Sequence, residues 1–258
     1  MPQSLQRFSL EGKRALVTGA SRGIGRALAA GLAEAGAEVA VAARDQTGLA
    51  ATVAAIDKAG GKAVPVFMDV ANLASVREGV GAAVEALGGI DVLINNAGIE
   101  EVRPSLDVDE ALWDRILDTN LKGAFFCAQA AAHRMRDTGH GGAILNLCSL
   151  TSEVGIPTAA PYGSSKSGLL GMTRALSAEW APLGIRVNAL APGYFRTALT
   201  DAFYQDDAWQ RAMLGKIPAG RFGQVDDLVG AAVFLSSDAA AYITGVCLPV
   251  DGGFLASI

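Results

Sequence analysis

Histidine and cysteine are scarce in this chain, and their scarcity excludes several kinds of catalytic site. The 258 residues include two histidines and three cysteines. No cluster of His, Cys, Asp or Glu has the spacing of metal ligands, so we predict no metal site. Neither His133 nor His140 has a site-like sequence context, which argues against a Ser-His-Asp hydrolase. We therefore expect a chemistry that needs neither a metal nor a histidine base.

Long apolar runs and an excess of basic charge are also missing. No apolar stretch reaches about 18 residues, the length of a membrane span, and the N-terminal segment lacks the apolar core of a secretory signal. The net charge of −5 argues against a nucleic-acid surface. Cys127, Cys148 and Cys247 are far apart in the sequence and lie in apolar contexts, so we interpret them as buried free thiols. These features predict a cytoplasmic protein without nucleic-acid or membrane partners.

Apolar runs instead alternate with longer helical patterns along the whole chain. Hydrophobic residues make up 51% of the sequence, and 31 glycines are spread through it. This alternation predicts one α/β domain over residues 1–258, with a Rossmann-type, doubly wound, parallel seven-stranded sheet covered by helices on both faces. The predicted strands are 14–20, 38–44, 62–70, 91–98, 142–149, 185–192 and 245–253; the predicted helices are 23–37, 48–61, 73–89, 108–118, 120–137, 160–182 and 225–236.

A glycine-rich turn, VTGASRGIGRAL, follows the first predicted strand and opens the first predicted helix. Gly19, Gly23 and Gly25 allow the backbone to approach a pyrophosphate, and the helix N-terminus offers free N–H groups. Such turns also occur without a ligand. The position of this turn, at the first strand of a parallel sheet, favours dinucleotide binding.

Tyr162 and Lys166 are four residues apart in a predicted helix, which places both side chains on the same face. A phenol with the ordinary pKa of about 10 is a poor base at neutral pH. A neighbouring ammonium favours the phenolate and lowers that pKa. A Tyr–Lys pair with this spacing usually lies on a helix surface and has no catalytic role. In a chain that also carries a predicted dinucleotide site, the pair predicts a tyrosine that exchanges protons.

Taken together, these motifs resemble those of the short-chain dehydrogenase/reductases of the compact single-domain type. The resemblance covers essentially the whole chain. Each motif is modest evidence, whereas all of them in the right order are specific. The resemblance implies an NAD(P)-dependent oxidoreductase that interconverts a secondary alcohol and a ketone by hydride transfer. The matching motifs are VTGASRGIG at 17–25, NNAG at 95–98, Ser149, YGSSK at 162–166, APG at 191–193 and VDGG at 250–253.

The resemblance also implies a catalytic set of Asn120, Ser149, Tyr162 and Lys166. Tyr162 would be the acid/base, with a pKa lowered by Lys166 and by the positive nicotinamide ring. Lys166 would also hold the nicotinamide ribose. Ser149, thirteen residues before the tyrosine, would polarise the carbonyl; Ser152 is a competitor that the spacing disfavours. Asn120 would orient a water relay to the lysine.

The choice between NAD and NADP depends on the end of the second predicted strand. NAD enzymes of this family usually carry an acidic residue there, and the matching position is Ala43. Arg44 and Arg22 would instead bind a 2′-phosphate, at about 1.5–3 kcal/mol for each charge-assisted hydrogen bond. The sequence therefore predicts NADP(H), with NAD(H) possible if Asp45 serves the ribose.

Further cofactor contacts are implied at the other strand ends. Asp69 matches the position that meets the adenine edge. Asn95 is better interpreted as a brace for the sheet than as a chemical participant. The complete predicted cofactor-binding set is Gly19, Ser21, Arg22, Gly23, Ile24, Gly25, Arg44, Asp69, Val70, Asn95, Ala97, Gly98, Tyr162, Lys166, Pro192, Gly193, Phe195 and Thr197.

Three loops after strand ends are predicted to select the substrate: 99–106, 150–160 and 194–217. The last is predicted to be a lid that contains an amphipathic helix. We expect a small polar hydroxy/keto substrate, because Arg103 or Arg196 would hold the carboxylate of a sugar acid.

The C-terminal part of the chain is similar to two branches of the family. One contains gluconate 5-dehydrogenase and deoxygluconate dehydrogenase, and the other contains 3-oxoacyl-[acyl-carrier-protein] reductases. The acidic net charge weighs weakly against an acidic carrier-protein partner. Another ketone, a steroid-like alcohol and a non-catalytic cofactor sensor stay as alternatives. The resemblance also implies a homotetramer built through the last helices and the C-terminal strand.

Overall fold

The computed structural model describes residues 3–196 and 203–257. Within them, seven parallel strands form one sheet in the order β3-β2-β1-β4-β5-β6-β7. The predicted fold class is therefore confirmed. The strands are β1 (Arg14–Thr18), β2 (Glu38–Ala43), β3 (Lys62–Phe67), β4 (Val92–Asn95), β5 (Gly142–Leu147), β6 (Ile185–Pro192) and β7 (Cys247–Val250).

Helices cover both faces of the sheet because the central strands are apolar on both faces. Neighbours such as Leu16 and Val17 in β1 point to opposite sides and join different buried clusters. Helices α2, α3 and α9 contribute to one cluster, and α4, α6 and α7 to the other. The helices are α1 (Gln3–Gln6), α2 (Gly23–Glu34), α3 (Gln46–Lys58), α4 (Leu73–Leu87), α5 (Glu110–Leu117), α6 (Gly123–Thr138), α7 (Ala160–Trp180), α8 (Asp207–Leu214) and α9 (Val229–Ser236).

The strand order reverses between β1 and β4, which are neighbours in the sheet although two strands lie between them in the chain. In an open parallel sheet, the helices on either side of such a point diverge and leave a crevice at the carboxyl ends of the strands. The glycine-rich turn follows β1 and the NNAG motif follows β4, so both motifs meet at this crevice.

Several predicted element boundaries were wrong. Strand β3 stops at Phe67 rather than 70, because the Asp69 carboxylate accepts from the Ala71 amide and turns the chain. The predicted helix 225–236 begins as a 3₁₀ turn over Val225–Leu228 before α9. The predicted break near 119 is a π-helical turn, Asp118–Lys122, that joins α5 directly to α6.

The three cysteines are free, but one of them is only half-buried and two of them lie close together in the fold. Cys127 and Cys148 are buried, whereas Cys247 is half-buried, which corrects the expectation for that residue. Cys148 and Cys247 pack in the same small apolar cluster and share a side-chain hydrogen bond. Strands β5 and β7 both flank β6, so the fold brings together two cysteines that are distant in the sequence.

Across the described ranges, no helix combines the length and the apolarity that crossing a membrane requires.

Candidate active site

A cavity of about 790 Å³ opens at the carboxyl edge of the sheet. It extends from the glycine-rich turn after β1 to the N-terminal turns of α7 and the loops that follow β4, β5 and β6. Most of the residues predicted from the sequence lie on its wall. These are Gly19, Ser21, Arg22, Gly23, Ile24, Gly25, Arg44, Asp69, Val70, Ala97, Gly98, Ser149, Tyr162, Lys166, Pro192, Gly193 and Phe195.

The glycine-rich turn has the features of a phosphate cradle. Gly19 has a φ of 66°, and a Cβ there would lie 2.8 Å from the Cα of Ala97. A Cβ on Gly25 would lie 2.3 Å from the carbonyl oxygen of Gly19. In the described part of the chain, no side chain caps the N-terminus of α2. The first N–H groups of this helix thus suit an anionic ligand, and the residues present fit the pyrophosphate of a dinucleotide.

Two residues that the sequence reasoning did not place in the site hold this cradle. The Asn96 side-chain amide donates to the carbonyls of Thr18, at 2.9 Å, and Gly19, at 3.1 Å. The Thr18 hydroxyl in turn accepts from the backbone amides of Asn96 and Ala97. These bonds join the end of β1 to the end of β4. The second asparagine of the NNAG motif could have indicated this role for Asn96, but the motif alone does not show which carbonyls its side chain reaches.

Arg22 and Arg44 lie at the adenosine end of the cavity, and both side chains are exposed. The Arg44 guanidinium is 3.6 Å from the Asp69 carboxylate. Asp45 accepts from the Gly48 amide at 3.0 Å and so caps the N-terminus of α3. Its carboxylate is therefore engaged by the backbone, which weakens the alternative in which Asp45 serves a ribose.

Tyr162, Ser149 and Lys166 meet at the opposite end of the cavity. The half-buried Tyr162 phenol hydrogen-bonds with the Ser149 hydroxyl. The Lys166 ammonium is buried, lies 5.6 Å from the centre of the tyrosine ring, and donates to the Leu147 carbonyl at 2.6 Å. The competing Ser152 hydroxyl donates instead to the Lys166 carbonyl. The structure thus places Ser149, rather than Ser152, beside the phenol.

The electrostatics of this trio differ from the sequence-based expectation. Burial raises the pKa of Tyr162, and the Glu100 carboxylate raises it further, while the hydrogen bond from Ser149 partly offsets both effects. Burial also lowers the pKa of Lys166. The raised pKa of Tyr162 is opposite in direction to the expected lowering by Lys166, because burial and the Glu100 carboxylate both disfavour the phenolate.

Asn120 and Asn95 are buried and act as braces within the described structure. The Asn120 amide accepts from the Ile99 N–H at 2.8 Å and donates to the Ile99 carbonyl and the Ser165 hydroxyl. Asn95 donates to the Asn146 side chain and to a carbonyl of α6. Neither side chain lies on the cavity wall. The structure therefore gives no support to Asn95 as a cofactor contact, and the predicted contact Thr197 lies outside the described residues.

All three predicted substrate loops contribute to the cavity wall. The loop after β6 adds an aromatic cluster: Tyr204 lies 5.3 Å from Trp209 and 4.8 Å from Phe222, measured between ring centres. Trp209 belongs to α8, which provides the helix expected in the predicted lid. Among the described residues, no group of three or more metal-ligating side chains converges.

Arg103 does not lie on the cavity wall, which corrects its expected role. It forms ion pairs with Glu101, at 2.5 Å, and Asp109, at 3.0 Å. Glu101 also pairs with Arg115. Arg103 thus fastens the loop after β4 to α5, because its guanidinium is already held by two carboxylates. The other predicted carboxylate ligand, Arg196, lies 6.0 Å from the ring centre of Tyr204.

Known proteins share this arrangement over nearly the full chain. A family model described as enoyl-(acyl carrier protein) reductase matches residues 19–255. Gluconate 5-dehydrogenase of Gluconobacter oxydans is 43% identical, with 97% of this chain and 98% of that protein covered. A solved structure from Sinorhizobium meliloti 1021, assigned to the short-chain alcohol dehydrogenases, is 65% identical with a TM-score of 0.95, covering 98% of this chain and 100% of that one.

A second solved structure, gluconate 5-dehydrogenase of Burkholderia cenocepacia J2315 in complex with NADP and tartrate, is 42% identical. Its TM-score is 0.95, and 99% of this chain and 100% of that chain are covered. The chain belongs to the short-chain dehydrogenase/reductase family. It is an oxidoreductase of the NAD(P)-dependent type that acts on hydroxyl groups and their carbonyl counterparts.

Tyr162→Phe tests the assignment of the acid/base. Loss of the phenolic proton should lower turnover by at least about 100-fold, the usual contribution of a positioned acid or base. NADPH binding should change little, because the ring is retained. Initial rates and NADPH fluorescence titration measure the two effects. Tyr242→Phe, at a fully exposed tyrosine, is the matched control. Turnover like that of the wild type in Tyr162→Phe would remove Tyr162 from the chemistry.

Proposed function

We propose that this protein is an NADP(H)-dependent oxidoreductase that interconverts a small polar hydroxy acid and its keto form. The observation that carries the proposal is the single cavity that joins a phosphate cradle at Gly19 and Gly25 to the hydrogen-bonded pair Tyr162 and Ser149. The cradle at Gly19 and Gly25 would hold the pyrophosphate of a dinucleotide, and the same cavity continues from there to the Tyr162 phenol. The protein binds the cofactor and the substrate and exchanges the proton, while the bound nicotinamide would supply or accept the hydride.

The proton chemistry follows from the state of the phenol. Because the pKa of Tyr162 is raised, the phenol keeps its proton at neutral pH and is suited to donate it to a carbonyl oxygen. The Ser149 hydroxyl stands next to that donor and stabilises the oxygen on which charge develops. Reduction of a ketone then balances as one hydride to carbon and one proton from Tyr162 to oxygen. Lys166 and the brace Asn120 keep the site in place, with both groups close to Gly98.

The preference for NADP(H) is supported by the cations at the adenosine end. Arg22 and Arg44 line the cavity, and Ala43 stands where an acidic residue would favour NAD. The Asp45 carboxylate is occupied as a helix cap. The Burkholderia cenocepacia relative is a complex with NADP, which agrees with this choice.

A sugar acid is the substrate class that the similar proteins favour. Two of them are gluconate 5-dehydrogenases, and one of these binds tartrate, a hydroxy acid. We assign the substrate carboxylate to the neighbourhood of Arg196, whose guanidinium lies 6.0 Å from the ring centre of Tyr204, a residue of the cavity wall. We also propose that segment 194–217 acts as a lid over this end of a single domain spanning 1–258.

A 3-oxoacyl thioester is the second candidate substrate. A 3-oxoacyl-[acyl-carrier-protein] reductase of Staphylococcus aureus is 43% identical, with 93% of this chain and 97% of that protein covered. The aromatic side chains Tyr194, Tyr204 and Trp209 offer an apolar wall. A non-catalytic cofactor sensor is a weaker alternative, because the phenol, the serine and the lysine of the site are all in place.

We further propose a homotetramer located in the cytoplasm. Strand β7 lies at the edge of the sheet, and Val246 directly before it is exposed, as expected for a surface that another copy covers. Three free cysteines suit a reducing compartment. Light scattering should give about four times the mass of one chain, and a monomer would contradict the assembly.

Arg44→Ala tests the choice of cofactor. Loss of a charge-assisted hydrogen bond to the 2′-phosphate should weaken NADPH binding about ten- to a hundredfold and leave NADH binding nearly unchanged. Arg136→Ala, at an exposed arginine at the end of α6, is the control. Fluorescence titrations measure both affinities. A wild-type enzyme with a higher kcat/KM for NADH than for NADPH would contradict the proposed preference.

Initial rates of NADPH oxidation test the substrate class. With 5-keto-gluconate, kcat/KM should exceed that for acetoacetyl thioester by at least about tenfold, because polar groups built for hydroxyls stay unpaired when an acyl chain binds. Preference for the thioester would assign the enzyme to acyl reduction. Activity with neither compound would reject both substrate classes and leave the family assignment unchanged.

A further inference from the structure

A carboxylate beside the acid/base tyrosine has no role in the chemistry described so far. Glu100 follows β4, is half-buried, and lines the cavity. Its charge acts on Tyr162, Tyr194 and Lys166. Over residues 3–196 and 203–257, no hydrogen bond or ion pair reaches its carboxylate. Glu100 is therefore an acceptor that faces the substrate end of the cavity without a protein donor.

The next residue shows that this arrangement is specific to Glu100. The Glu101 carboxylate turns away from the cavity and is held by the guanidinium groups of Arg103 and Arg115. Two adjacent glutamates thus have opposite environments. Glu101 is neutralised in an ion-pair network outside the cavity, whereas the Glu100 carboxylate is accessible to a ligand in the cavity.

The backbone on both sides of Glu100 is fixed. Both polar groups of the Ile99 backbone bond to the Asn120 side chain, at 2.8 and 2.9 Å. On the other side, the Arg103 amide donates to the Thr158 carbonyl at 2.8 Å. Thr158 itself has a φ of 68°, a conformation that a non-glycine residue adopts rarely. The backbone that carries Glu100 is thus held in place before a ligand arrives, as an efficient binding group requires.

The chemistry of an ionised carboxylate defines the ligand. Such a group only accepts hydrogen bonds, and removal from water without donors is unfavourable. Burial accordingly raises the pKa of Glu100. A ligand that offers O–H groups relieves this cost, whereas the acyl chain of a thioester does not. A substrate carboxylate is repelled here and belongs at another part of the cavity.

We propose that Glu100 accepts hydrogen bonds from substrate hydroxyl groups near the reacting carbon and selects polyhydroxylated ketones over ketones without such hydroxyls. The inference rests on the proposed function, because it places a hydroxy/keto substrate against Tyr162. It makes Glu100 a determinant of specificity and assigns the hydroxylated part of the substrate to the loop after β4.

The test compares two keto acids that differ in their hydroxyl groups, 5-keto-gluconate and 4-oxopentanoate. In Glu100→Ala, kcat/KM for the hydroxylated acid should fall about ten- to a hundredfold, mainly through KM. For 4-oxopentanoate it should change less than about threefold. Glu100→Gln keeps an acceptor oxygen, so its loss should be intermediate. The control is Glu85→Gln, at an exposed carboxylate on α4, away from the cavity wall.

Two results would overturn the inference. An equal loss with both keto acids would show that Glu100 acts on Tyr162 in general, and an unchanged kcat/KM for the hydroxylated acid would show that it does not touch the substrate. If the wild type reduces neither acid, the proposed function fails separately. Thermal-shift titration with gluconate and with hexanoate then decides the role of Glu100: selective loss of the gluconate shift in Glu100→Gln supports it, and an unchanged shift overturns it.

Discussion

Parallel pairing of the strands is the constraint on which the whole molecule depends. Because every strand runs in the same direction, every carboxyl end lies at one edge of the sheet. The loops after β1, β4, β5 and β6 therefore converge, and each carries part of the site: the glycine-rich turn, the NNAG motif, Ser149 and the segment from Pro192. A functional site at this edge follows from the topology before any side chain is considered.

Buried amides convert this convergence into fixed geometry. Asn96 ties the cradle to the end of β4, and Asn120 ties the next residues of that loop to α7 through Ser165. Asn95 and Asn146 connect the centre of the sheet to the helices behind it. A buried polar group without a partner costs free energy, so these hydrogen bonds are strongly favoured. The asparagines thereby fix the glycine-rich turn and the Tyr162 end of the cavity relative to each other.

The same burial that organises the site also sets its acid–base state. Removal of Tyr162 and Lys166 from water favours the neutral form of each, and Glu100 adds negative potential at the phenol. The environment thus favours a protonated Tyr162 and places the Glu100 carboxylate on the same cavity wall. The proposed roles of Tyr162 and Glu100 would couple activity and substrate choice through one short loop, because Glu100 lies between the brace at Ile99 and the ion pairs of Arg103.

The fold and most of the site were predictable, since local patterns report directly on both. Apolar periodicity indicated the strands and helices, and motif spacing indicated Tyr162, Lys166, Ser149 and the glycine cradle. Pairings between distant segments were not predictable: the engagement of Arg103 by Glu101 and Asp109, the contact of Cys148 with Cys247, and the opposite environments of Glu100 and Glu101. The sequence by itself determined which groups are present and in what order. The tertiary structure alone decided which of them are neutralised by partners and which face the cavity, because burial and long-range pairing arise only when the strands are brought together.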